Sequence, residues 1–171
     1  MVRIRSESSN DYKQISDVIY SAFKQKYEVR LVETLRSSSD FIVELSLVAI
    51  LNNLIVGHIL FSKVTIKSEI HDTPALALAP LAIRQEFQNQ GIGSALVKKG
   101  IEECKRLNHK IIIVLGHPNF YPRFGFKLAY NFGIIAPFDV PNESFLILGL
   151  TSDALDGISG TVEYPPAFYE G

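Results

Sequence analysis

The chain has 171 residues, 47% of them hydrophobic, which is enough to fill one core and too few for two ordinary domains. Its 17 Lys and Arg against 18 Asp and Glu leave a formal charge of −1, which excludes an overall electrostatic pull toward nucleic acid or an anionic membrane. A single cysteine, Cys104, excludes an internal disulfide and a cysteine-rich metal site. The opening Met1-Val2-Arg3-Ile4-Arg5-Ser6-Glu7 mixes charges where a secretory signal needs an apolar stretch, so a soluble, cytoplasmic protein is expected.

Residues 2–6 read as a short first strand, and Ser9-Asn10 offers cap chemistry for a helix running to about Phe23. A second helix is expected over 28–36, closed by Ser37-Ser38-Ser39-Asp40, whose side chains favour backbone-bonding turns. Leu45–Leu51 and Leu54–Ile66 are rich in Val, Ile, Leu and Phe, and only Asn52-Asn53 separates them, which suits a hairpin turn with positive φ. The polar loop over 67–73 contains Glu69, His71 and Asp72, but without a spaced partner set these read as solvated and not as metal ligands. Leu76–Ile83 is the next strand. Pro80 inside it cannot donate a ladder bond, so it predicts a bulge or an interrupted pairing.

A glycine-bearing turn, Gln88-Asn89-Gln90-Gly91-Ile92-Gly93, then leads into a helix extending to about Leu107. Ile92, Leu96, Val97, Ile101, Cys104 and Leu107 recur at helical spacing, and charged residues take the other face. Cys104 therefore reads as a packing residue. Ile111–Leu115 is a continuous apolar run, as in a strand covered on both faces, and strand, helix, strand implies a right-handed parallel crossover. A short helix near 119–124, a strand near 126–130 and another at 144–150 complete a mixed α and β order. The tail ends in Tyr164-Pro165-Pro166-Ala167-Phe168-Tyr169, too aromatic and proline-stiffened for a solvated linker. The expected organisation is thus one domain over 1–150, with 151–171 docked on it.

The junction between the fourth strand and its helix is an anion-binding device. Glycines at 91 and 93 remove side chains that would keep a ligand off the backbone, and the first-turn amides of a helix lack internal partners at its positive end. A nucleotide P-loop needs a lysine that Gly93-Ser94-Ala95 does not offer, and a dinucleotide fingerprint needs a third glycine where Leu96 stands.

Gln88-x-x-Gly91-x-Gly93 after a strand ending Leu81-Ala82-Ile83 resembles the acyl-coenzyme A signature of the GNAT N-acetyltransferases. Tyr121-Pro122-Arg123-Phe124-Gly125-Phe126 resembles the Tyr-x-x-x-Gly-Phe element that follows the fifth strand of that fold. Its wording, together with the ending Gly160-Thr161-Val162-Glu163-Tyr164-Pro165-Pro166-Ala167-Phe168, is similar to the YhbS-like branch of the family. The resemblance implies the GNAT acyl-CoA N-acyltransferase fold, a central twisted mixed sheet flanked by helices in the α/β (α+β) class. It also implies acetyl-CoA (coenzyme A) as cosubstrate, no metal, and direct transfer of the acetyl group to a primary amine. By the same resemblance the amides of Gln90, Gly91, Ile92, Gly93 and Ser94 would hold the pyrophosphate, with Gln88 and Asn89 beginning the turn. Backbone groups of Leu81, Ala82 and Ile83 would pair with the pantetheine arm, and Asn119 and Phe124 would add contacts.

Attack of an amine on a thioester expels a thiolate, and the Tyr121 phenol is the candidate to donate to it. The proton acceptor is less defined, because Leu76–Ile83 has no acidic residue where many relatives carry a glutamate on this strand. His117 is one candidate, His58 and Glu44 are others, and a water chain to solvent is the default. That missing carboxylate keeps open a CoA-binding module without catalysis, and a longer acyl or carrier-protein donor is a further alternative. The acceptor is not identified by the sequence, and a homodimer remains open.

Overall fold

The computed structural model describes residues 1–170. Its strands and helices are β1 (Arg3–Ser6), α1 (Tyr12–Phe23), α2 (Tyr27–Arg36), β2 (Phe41–Leu51), β3 (Leu54–Lys67), β4 (Thr73–Ile83), α3 (Ile92–Arg106), β5 (Ile111–Leu115), β6 (Lys127–Leu128), β7 (Ile134–Ile135), β8 (Phe145–Gly149) and β9 (Gly160–Glu163). Asn52 and Asn53 take φ of 50° and 64° and join β2 to β3 through the expected tight turn. The helix signal at Ser9-Asn10 is displaced by one turn. Ser9–Asp11 is a 3-10 segment in which the Asp11 carboxylate accepts from the Ser8 amide at 2.8 Å, and α1 starts behind it.

The main sheet runs β1-β2-β3-β4-β5-β8-β6, and β4–β5 is its parallel pair. That pair is short: Leu76 faces Ile112 and Ala77 faces Ile113, and no later register is formed. On its other side β4 pairs with β3, with a register shift between Ile59–Leu81 and Phe61–Leu78 that leaves Ala79 and Pro80 opposite Leu60. The interruption expected at Pro80 is this bulge. Past Ala77, therefore, β4 bends away from β5 and the sheet opens.

Side-chain alternation divides the core between the two faces. Gly57, Ile59 and Phe61 of β3 look toward α3, where Gly100 leaves room for the Phe61 ring; a Cβ there would lie 2.3 Å from Phe61 Cε1. Leu60 on the opposite face packs with Ile15, Ile19, Leu31 and Leu35 of α1 and α2. That face continues under the C-terminal segment, where Val162 and Tyr164 pack with Ile66, Ala75 and Ile113. Strand β9 pairs with Thr65–Lys67 of β3, beyond the point where β2 ends opposite Ser62, and β7 pairs with β9. These two short strands carried no periodic signal. The strand expected near 126–130 is reduced to β6 because a 3-10 turn at Ala129–Phe132 follows it.

A buried polar chain ties α2 to the sheet. Arg36 donates to both oxygens of Glu7, at 2.8 and 3.0 Å, and its guanidinium stacks 3.8 Å from the centre of the Tyr12 ring. The Ser46 hydroxyl donates to Glu7 at 2.6 Å, so its oxygen is left to accept the Nε2–H of fully buried His58 at 3.0 Å. Nδ1 of His58 then carries the lone pair. Burial, reinforced by the positive Arg36, lowers the His58 pKa from 6.5 to about 3, so the ring is neutral in the fold.

A depressed histidine pKa means that the unfolded chain binds the extra proton first. The associated stability is complete above pH 6.5 and is lost as pH falls from 6.5 toward 3. Half-buried His109, lowered by burial and by Lys63, acts in the same direction. In urea unfolding at graded pH, the His58 contribution to the acid limb should approach a slope of about 1.4 kcal/mol per pH unit. His58→Asn should flatten that limb whatever its effect at neutral pH, and an unchanged slope would place the proton elsewhere.

Candidate active site

Where β4 leaves β5 a cleft of about 460 Å³ opens into the molecule. Leu78, Ala79, Pro80 and Leu81 of β4 form one edge, and Ile113, Leu115 and Gly116 at the end of β5 form the other. The groups expected on the pantetheine arm follow directly along β4: Leu81 and Ile83 are partly buried and Ala82 is buried.

The glycine turn stands at the far end of β4. Asn89 and Gly91 adopt φ of 63° and 85°, left-handed values that sharpen the turn ahead of α3. The Gln88 side chain donates to the Ile83 carbonyl at 3.0 Å and holds the turn against the strand, while its own amide donates to Gln85 at 3.4 Å. Ala95 is the first residue whose amide closes a turn of α3, onto the Gly91 carbonyl at 3.0 Å. The amides of Ile92, Gly93 and Ser94 precede it and have no carbonyl within the helix to bond. A Cβ on Gly93 would stand 3.9 Å from Leu81, Ile83 and Phe120, ordinary contact distances, so the turn and the cleft are contiguous.

Tyr121 forms another wall of the cleft. It opens a 3-10 turn at Tyr121–Phe124 that Pro122 starts and Gly125, at φ 99°, ends. Its ring is 7% exposed and packs edge-on against Phe120 and Phe126, with centroids 4.9 and 5.6 Å away. The seat exists because Gly116 has no side chain: a Cβ there would lie 2.4 Å from Tyr121 Cε2. Burial raises the phenol pKa to about 12, so it carries its proton throughout the neutral range. Its hydroxyl has no hydrogen-bond partner among the described residues.

His117 lines the same cleft, exposed, four positions before Tyr121, and its carbonyl accepts the Phe120 amide at 3.2 Å. His58 and Glu44 are elsewhere. His58 is enclosed in the Glu7 chain behind β3, and Glu44 is exposed on β2 near Arg106. Asn119 is exposed beside the cleft, with its carbonyl accepting from Arg123 at 3.3 Å, and Phe124 packs edge-on against Phe120 at 5.2 Å. Cys104 is buried under α3 with its thiol pushed up to about 12, the state of an inert packing residue. In the 67–73 loop Asp72 pairs with Lys67 at 3.0 Å. No grouping of three metal-ligating side chains occurs among the described residues. No helix is long and apolar enough to cross a membrane among the described residues.

Of the remaining walls the sequence had marked only the tail aromatics Tyr164 and Phe168, as part of a segment expected to dock. Phe23, Tyr27, Glu28 and Leu31 reach the cleft from α1 and α2, and Phe138, Tyr164 and Phe168 reach it from the C-terminal third. Tyr27 donates through its hydroxyl to the Phe168 carbonyl, joining these walls across 141 residues of chain. A helix over 28–36 was readable, but helical period alone does not reveal which of its residues face the cleft or which tail residues they meet.

Residues 10–126, well over half of the chain, match the model of the acetyltransferase (GNAT) family, and the chain belongs to that family. Among Escherichia coli K12 proteins it is 38% identical over 136 residues to the uncharacterized N-acetyltransferase YjhQ, covering 78% of this chain and 75% of that one. It is 31% identical over 166 residues to the uncharacterized N-acetyltransferase YhbS, covering 96% and 97%. In three dimensions it is similar to the E. coli YhbS crystal structure in complex with CoA, with a TM-score of 0.91 and 29% identity over 99% of this chain and 92% of that one. It is also similar to a GNAT acetyltransferase from Brucella melitensis in complex with acetyl-CoA, with a TM-score of 0.80 and 28% identity over 98% of each chain. The mixed sheet flanked by helices is the GNAT fold expected from the motifs.

The Gly116 contact yields a direct check. Gly116→Ala should force the Tyr121 ring from its seat because a 2.4 Å approach cannot be absorbed without movement. Near-ultraviolet circular dichroism should change and thermal stability should fall, by about 1–3 kcal/mol if the change acts as ordinary overpacking.

Proposed function

We propose that this GNAT protein transfers an acetyl group from acetyl-CoA to a primary amine by direct attack. The observation that carries the reading is one continuous track. It starts at the unbonded first-turn amides of α3, follows the β4 edge, and ends at the protonated Tyr121 phenol where β4 and β5 part. CoA and acetyl-CoA are bound by the E. coli YhbS and Brucella relatives respectively, which supports the same cosubstrate here.

In this reading the amides of Gln90, Gly91, Ile92, Gly93 and Ser94 receive the pyrophosphate, and Gln88 and Asn89 set the turn. Leu81, Ala82 and Ile83 offer backbone groups to the pantetheine arm, and Asn119 and Phe124 flank it. The deprotonated amine attacks the thioester carbonyl carbon, forming the C–N bond, and collapse of the tetrahedral intermediate breaks the C–S bond. Tyr121 donates its proton or a hydrogen bond to the departing thiolate, so charge builds against a group already positioned to receive it. The surplus proton of the nitrogen leaves through His117 or through water reaching the exposed mouth of the cleft.

Gly93 is a better probe of the turn than Gly91. At Gly91, φ of 85° strains any replacement, whereas a Cβ at Gly93 meets neighbours at 3.9 Å. Gly93→Val should keep the melting temperature within a few degrees and weaken CoA binding at least about tenfold by blocking backbone approach. Undiminished affinity by calorimetry would remove the turn from the site.

Tyr121→Phe removes a hydroxyl with no hydrogen-bond partner among the described residues, so stability should hold. Turnover should fall about 10²-fold with little change in acetyl-CoA affinity, the usual scale for a general acid. Single-turnover kinetics, where chemistry limits the rate, is the measurement. Equal rates would leave Tyr121 a packing residue.

A further inference from the structure

The cleft that receives the thioester is also where an acceptor has to stand, and its walls have a definite chemistry. Phe23, Tyr27 and Leu31 reach its lining from α1 and α2, and Phe138, Tyr164 and Phe168 from the C-terminal third, all apolar or aromatic. Tyr164 is the hub of the second wall, with ring centroids 5.6 Å from Phe138 and 4.8 Å from Phe168. Glu28 is the carboxylate among the lining residues, and no Lys or Arg lines the cleft. Glu28 is partly buried in the first turn of α2, where the Gln25 amide donates to both carboxylate oxygens at 3.0 and 3.1 Å. It has no ion-pair partner among the described residues, in contrast to Glu7, Asp11 and Glu103, each held by an arginine.

We infer that the acceptor is a monocationic primary amine carrying an apolar, preferably aromatic, body, and that Glu28 is the group on which its ammonium docks. This rests on the reading of the protein as an acetyltransferase. A partly buried carboxylate beside aromatic faces is the arrangement that draws a single cation out of water, by charge and by the ring quadrupoles. A polyamine would bring a second ammonium to a cleft with no second carboxylate, and desolvating it without a partner is costly. A free amino acid would bring a carboxylate, for which the walls hold no lysine or arginine. An amine with an arene or alkyl body leaves neither charge stranded and covers the apolar walls. Glu28 thus sets which amine enters, while the nitrogen still sheds its proton before attack.

The test compares 2-phenylethylamine, spermidine and a lysine-containing peptide as acceptors for the intact protein with saturating acetyl-CoA. Binding of 2-phenylethylamine and of its neutral counterpart 2-phenylethanol to the protein–CoA complex is measured alongside. For 2-phenylethylamine, kcat/KM should exceed that for spermidine and for the peptide at least tenfold. Glu28→Gln should raise its KM about tenfold or more with kcat changed less, and should weaken amine binding while leaving 2-phenylethanol binding and CoA binding as they were. Phe138→Ala, at a residue 38% exposed and so tolerant of change, should cost 2-phenylethylamine more than it costs methylamine. Preference for spermidine or the peptide would overturn the assignment while leaving the acetyltransferase reading intact. A Glu28→Gln effect confined to kcat, or equal losses for amine and alcohol, would also overturn it. If no amine is acetylated although CoA binds, the acetyltransferase reading fails. The ligand class then stands or falls on the Glu28-dependent binding of the amine.

Discussion

The parallel contact between β4 and β5 lasts for two facing residue pairs, and that brevity governs the rest of the molecule. An unbroken pairing would fill the interior with backbone hydrogen bonds and leave no place for a ligand. Instead β4 bulges at Ala79-Pro80, the residue without an amide proton sits where pairing is suspended, and β5 ends shortly after in Leu115-Gly116. Backbone groups along the parting are thereby released from the ladder. Such groups cost free energy if they are left buried and unbonded, so an opening of this kind is suited to a ligand that supplies amide-like partners.

Keeping a sheet open requires that both sides be held from outside. On the α3 side the core is purely apolar, with Phe61 set into the groove left by Gly100. On the other side α2 is fixed by the chain from Arg36 through Glu7 and Ser46 to His58, charged at one end and neutral at the other. Removing any one member would leave a buried polar group without its partner, which is more costly than the net value of the contact itself. The same helix carries Tyr27, Glu28 and Leu31 into the cleft, so the stability of the network and the shape of that wall are one problem.

The C-terminal segment completes that arrangement. Strand β9 extends the sheet beside β3 where β2 stops, and it brings Tyr164 and Phe168 to face α2. The Tyr27 hydroxyl satisfies a carbonyl of this segment and closes the gap between the two walls. A cleft built from segments so far apart in sequence can vary its lining by changing the α1–α2 face or the tail, while the β4 edge stays with the fold.

Local chemistry alone made much of this legible. Hydrophobic period fixed the long helix and the strands, paired asparagines marked the hairpin, and the Gly91 turn and the Tyr121 segment pointed to the family because each depends on residues adjacent in the chain. What could not be read was whatever depends on distant segments meeting. The seat that Gly116 makes for Tyr121 depends on how the chain turns after β5. The retreat of His58 into a buried ion network depends on Glu7, Ser46 and Arg36 converging from three separate parts of the chain. Glu28 is, in the sequence, only the first residue of the expected second helix, because exposure, neighbours and ion pairing are properties of assembled surfaces. Periodicity is a statement about one element's faces; only tertiary packing decides what each face meets, and with it which carboxylate is solvated and which one is enclosed or paired.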